Sequence, residues 1–141
     1  IERYRNRISG PLLDRIDLHV EAPAVAFKEL SGVGHAEPSS AIRERVLAAR
    51  ELQKARFSGG RKTAANARMS HSQIKKFCVL DEISTEMLRH AMEDLHLSAR
   101  AYDRILKVSR TIADLAGSEQ IDSSHIGEAI QYRTLDRRLW A

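Results

Sequence analysis

A chain of 141 residues is near the usual size of one domain and long enough to bury a real core. With one cysteine, Cys78, it has no internal disulfide framework, and no apolar stretch has the length of a membrane span or the form of a signal peptide, which predicts a cytoplasmic chain. A formal net charge of +4 permits a polyanionic partner without demanding one, while 5% aromatic residues offer little surface for stacking single-stranded bases. The first residue is not methionine, so a piece of a longer protein is expected.

In chain order, Gly10-Pro11 and an apolar turn at Leu12 and Leu13 precede an alternation of Ile16, Leu18 and Val20 with Asp17, His19 and Glu21. This pattern predicts one strand. A lone strand forms no sheet, so its partners are expected outside this chain and residues 1–38 are expected to be poorly anchored. Pro23 to Pro38, rich in Ala, Gly and Ser, reads as a linker.

From Ser39 onward the periods are helical. Ser39 or Ser40 is expected to cap a first helix with Ile42, Val46, Ala49 and Leu52 on its apolar face. The pattern breaks from Phe57 to Met69, and Ser70 with Gln73 then forms a capping box opening a short helix through Ile74, Phe77 and Cys78. Ser84 is expected to cap the next helix, with Leu88 stapled on Ile83 and Met87, Leu88, Ala91, Met92 and Leu95 buried. The clearest stripe is Tyr102, Ile105, Leu106, Ser109, Ile112, Ala113 and Ala116, opened by Ser98 and closed by Gly117. Asp122 caps a last helix through Ile126, Ala129 and Ile130. The fold class expected is mainly α, a small bundle of about four or five helices preceded by one strand.

Two arginines carry the functional reading. Arg100 falls in the first turn of the helix capped by Ser98, beside the positive end of the macrodipole, where a cation costs roughly 0.3 to 1 kcal/mol. An anion there would compensate it, so Arg100, with Ser98 and the helix-start N–H groups, reads as half of a nucleotide phosphate sensor; an ordinary solvated arginine is the competing account. Arg15 stands between the apolar turn and the strand, placed to project toward a neighbouring molecule or to pair with Asp14 or Asp17. The phrase GGRKT at 59–63 is not a P-loop, because Arg61 stands where glycine must precede Lys-Thr and a helix rather than a strand comes before it. The histidines at 19, 35, 71, 90, 96 and 125 have no zinc-site spacing, and no metal is expected.

The phrases SGPLLDRIDLHVEAP, NARM at 66–69, LSARAYDRILKVSRTIADLAG and HIGEAIQYRTLDR resemble the C-terminal part of the ComM/YifB group of magnesium-chelatase-like AAA+ ATPases. The likeness covers almost the whole chain except the loop at 32–37. It implies that residues 1–38 comprise the end of the αβ ATPase core with its linker, and that 39–141 are the helical lid. By the same resemblance Arg15 is the arginine finger, reaching the γ-phosphate held by the next subunit, and Arg100 is sensor 2, lying over the phosphates of its own subunit. The full-length protein is then expected to use ATP and Mg²⁺ in a ring, a hexamer, acting on DNA as a helicase or branch-migration motor in transformation and recombination. Neither Walker A nor Walker B occurs in this chain, so by itself it should be inactive and hold no nucleotide tightly.

Two other readings stand beside this one. One is the ATPase subunit of a magnesium-chelatase-type metal-insertion complex, although the LSARAYDRILKVSRTIADLAG phrase favours the competence group. The other is a non-enzymatic nucleic-acid-binding module. It rests on a basic face of Arg43, Arg45, Arg50, Lys54, Arg56, Arg61, Lys62 and Arg68, of which Arg50, Lys54, Arg61 and Lys62 are the candidate contacts, against an ordinary solvated helix.

Overall fold

The buried stripe of Ile105, Leu106 and Ala113 is what most of the other described elements pack around. The computed structural model describes residues 15–20, 22–24, 37–58 and 65–133. Among these it has helices α1 (Ser39–Arg56), α2 (His71–Phe77), α3 (Glu82–Asp94), α4 (Ala99–Leu115) and α5 (Ser123–Gln131), with a 3₁₀ turn at Asn66–Arg68 between α1 and α2. Helix α4 is central: it packs on α5, α1, the 3₁₀ turn and α2, while α3 closes on α5. The core joins Ile105, Leu106 and Ala113 of α4 to Leu88, Ile126, Ala129, Ile121, Ile74, Cys78, Met69 and Phe57, all buried. Burial of the Cys78 thiol pushes its pKa up to about 11, so it serves as a small apolar residue. Tyr102 and Ala116, expected on the buried stripe of α4, are exposed.

Local chemistry sets the helix ends. The expected capping box at Ser70 is present, with Gln73 N donating to Ser70 Oγ (3.3 Å) and Ser70 N donating to Gln73 Oε1 (2.9 Å). Ser98 accepts from Ala101 N at 3.2 Å, and Asp122 accepts from the backbone of Ser124 and His125. Gly117, at φ +68°, ends α4 in a Schellman turn in which Ser118 N donates to Ala113 O and Gly117 N to Asp114 O.

Several expectations are corrected. Asp81, not Ser84, caps α3, because its carboxylate accepts from Ser84 N at 2.7 Å. That moves the helix start back, leaves Ile83 68% exposed and removes the staple on Leu88. Neither Ser39 nor Ser40 caps α1, whose N-cap is Pro38 with no side-chain bond. On α1 only Ala49 and Gln53 are buried, whereas Ile42, Val46 and Leu52 are exposed, because the rest of the bundle covers only part of the helix.

No strand occurs among the described residues. Residues 15–20 form a turn at Arg15 and a bend at Asp17 without ladder pairing, as expected of a segment whose sheet partners are not in the described chain. Nor is this segment loose. His19 N donates to Tyr132 O at 2.9 Å, the buried Arg133 guanidinium donates to Ile16 O, and Asp17 is ion-paired to Arg104.

Candidate functional site

Helix α4 carries Arg100, Arg104 and Lys107 at i, i+4 and i+7, a spacing that puts all three on one face. Its first turn contains no acidic residue, so the dipole and Arg100 add rather than cancel. With Asp17, Ala67 and Asp103 these cations line a groove of about 290 Å³ along the N-terminal half of the helix. Lys107 is steered by a bond from its Nζ to Ala67 O of the 3₁₀ turn, at 3.2 Å. Asp103 lies 3.5 Å from His71 Nδ1, and Asp17 is engaged by Arg104. Arg100 is exposed, with no carboxylate partner among the described residues. The donor set of guanidinium, ammonium and helix-start N–H groups fits a phosphate-bearing anion such as ATP.

Arg15 does not line this groove. It sits exposed in the turn directly before Ile16 and Asp17, both of which are tied to the bundle. The candidate nucleic-acid contacts stand elsewhere: Arg50 is exposed on α1, Lys54 is paired to Glu51 at 2.5 Å, and Arg61 and Lys62 lie outside the described residues. Two members of the expected basic face are occupied, Arg45 by Glu37 and Arg56 by a buried cluster at the other end of α4.

That cluster is a polar knot. Asp114, 2% exposed, accepts from Arg56 (2.7 and 2.5 Å), from Asn66 Nδ2 (2.7 Å) and from Arg110 Nε (3.1 Å). Asn66 Oδ1 accepts from Arg56 at 2.8 Å, and Arg110 also donates to Ser118 O and Glu119 O at 2.6 and 2.8 Å. Burial raises the Asp114 carboxyl, but the bonds from Arg56 and Asn66 and the charges of Arg56 and Arg110 outweigh it and hold the group below the usual carboxylate value. The knot fastens α1, the 3₁₀ turn, α4 and the α4–α5 turn together, and so fixes Ala67, the carbonyl that aims Lys107.

Of the charges lining this groove, sequence reasoning singles out Arg100 as a candidate and passes over Arg104, Lys107 and Asp17. The first two were available from the one-face spacing; Asp17 was not, because its partner lies 87 positions away on α4. No group of three or more His, Cys, Asp or Glu able to hold a metal ion occurs among the described residues, and no described helix is long and apolar enough to cross a membrane.

The family described as magnesium chelatase, subunit ChlI C-terminal, matches residues 36–133, and the magnesium chelatase ChlI family matches residues 1–30. The chain belongs to this magnesium-chelatase family of AAA+ proteins. Among individual relatives, it is 45% identical over 140 residues to competence protein ComM of Haemophilus influenzae, covering 99% of this chain and 26% of that protein. It is 43% identical over 138 residues to the uncharacterized protein YifB of Escherichia coli, covering 97% and 26%. It is 35% identical over 141 residues to the uncharacterized protein Rv2897c of Mycobacterium tuberculosis, covering 96% and 27%. The chain thus spans about a quarter of the length of these relatives.

Proposed function

We propose that this chain is the C-terminal lid region of a cytoplasmic, ring-forming AAA+ ATPase of the ComM type, and that its groove senses the phosphates of ATP. The observation that carries the reading is the exposed Arg100 in the first turn of α4, which contains no acidic residue to offset it. Arg100 is sensor 2, acting on the nucleotide of its own subunit, and Arg15 is the finger offered to the neighbour. Phosphoryl transfer is catalysed mainly by placing cations around developing negative charge, and a finger contributes about a thousandfold or more in rate. Nucleotide and Mg²⁺ are held chiefly by Walker elements outside this chain; the groove adds charge compensation.

The motor's substrate is DNA, in a hexameric ring, a reading supported by the relative named for competence and by the exposed Arg43 and Arg50 of α1. If α1 takes part, DNA binding weakens steeply with added salt, and the Arg50→Glu, Lys54→Glu variant weakens it further. Unchanged affinity in that variant removes α1 from the interface.

The test of the ATPase roles is complementation in the full-length protein. Arg15→Ala and Arg100→Ala rings each hydrolyse ATP poorly, but in a mixed ring an Arg15→Ala subunit that receives its finger from an Arg100→Ala neighbour has a complete site. Hydrolysis above the sum of the separate variants is expected. No recovery despite demonstrated subunit exchange contradicts the assignment.

A further inference from the structure

Arg104 lies one turn after Arg100 and lines the same groove, which invites the assumption that it serves the same nucleotide. Its partner indicates otherwise. Arg104 is ion-paired to Asp17, two residues after Arg15. The flanking backbone is fastened to the same bundle, with Ile16 O accepting from Arg133 and His19 N donating to Tyr132 O. Positions 16, 17 and 19 are thereby tied to α4 and to the end of α5, and the exposed Arg15 directly precedes this strap.

We propose that Arg104 is a positioning residue for the neighbouring subunit's site: through Asp17 it fixes the segment that presents Arg15, so that the sensor helix and the finger move as one body. This rests on the finger and sensor reading above and adds to it. The lid that closes on a subunit's own nucleotide then sets the finger offered to the next, which links successive sites around a ring. The pair is partly solvent-exposed, with side chains 25% and 53% accessible, so it adds little to stability and its loss should appear in activity.

Steady-state ATP hydrolysis of the full-length protein tests this. Arg104→Gln, and separately Asp17→Asn, should lower turnover at saturating ATP by about tenfold or more, with KM for ATP changed by less than about twofold. The decisive readout is the complementation group. Mixed with Arg100→Ala, each variant should recover activity above the sum of the two; mixed with Arg15→Ala, neither should, because both partners lack a positioned finger. Recovery of Arg104→Gln with Arg15→Ala, but not with Arg100→Ala, would place Arg104 on its own subunit's nucleotide and overturn the proposal. So would recovery with neither partner, or unimpaired turnover in both variants. The Arg15→Ala and Arg100→Ala mixture is the control: if that pair fails to recover, the finger and sensor reading itself is wrong, whereas its recovery with failure of the new variants refutes the strap alone.

Discussion

The two ends of α4 both gather charged residues and use them in opposite ways. At the C-terminal end, Arg56 and Arg110 converge on Asp114, and Asn66 and two backbone carbonyls complete the set, so the cluster is buried and internally satisfied. At the N-terminal end, Arg100, Arg104 and Lys107 line an open groove shared with Asp17 and Asp103, both placed against other side chains. A buried cation must be paired to be tolerated, and its pairing is therefore structural. An exposed cation added to a positive helix end gives the fold nothing, which makes it a candidate for binding something outside it.

The largest expected effect breaks the knot. Asp114→Ala leaves the buried Arg110 guanidinium and the partly buried Arg56 guanidinium without their carboxylate and should cost about 3 to 5 kcal/mol, read as a lower urea midpoint of this chain. A loss below about 1 kcal/mol would mean the knot is no more structural than a surface pair.

Acid sharpens the contrast next. The folded pKa of Asp114 is depressed, so its contribution is fully present above the unfolded carboxylate value of about 3.9 and is lost as pH falls through the lower folded value. Unfolding free energy should therefore drop below about pH 4, and Asp114→Asn should flatten that part of the profile, checked by urea melts at stepped pH. Alkali acts on Cys78 in the other direction: its folded pKa is raised, so its contribution is present below the unfolded thiol value near 8.5 and is lost as pH climbs toward about 11. Cys78→Ser should shrink that alkaline loss.

The smallest effect belongs to the groove. Arg100→Ala should leave stability unchanged or raise it by roughly 0.3 to 1 kcal/mol, since it removes a cation from a helix N-terminus. A clear destabilisation by urea denaturation would make Arg100 a structural residue and erase the distinction between the two ends.

The sequence reveals these regions unequally. The α4 stripe, the Ser70 box, the Asp122 cap and the Gly117 stop were legible because each depends on residues within a turn or two of one another. Arg100 was legible for the same reason: a cation in a first turn is a local anomaly. The knot was not, because Arg56 and Asp114 are 58 positions apart and Arg56 reads, from its neighbours, as one more charge on a basic helix. The apolar face assigned to α1 failed similarly, since periodicity says which residues share a face but not how far along the helix a partner covers it. The Asp17–Arg104 strap depends on a tertiary contact and could not be inferred from alternation, which pointed to a strand.

The most direct measurement of the central claim is an amide-shift titration of the isotope-labelled chain with ATP at low ionic strength. The account predicts weak, fast-exchanging shifts, largest from Ser98 to Ala101 and extending toward Lys107, diminished in Arg100→Ala and nearly absent around Arg110 and Asp114. Shifts centred on the knot, a response unaltered by Arg100→Ala, or saturable micromolar binding without a P-loop would contradict it.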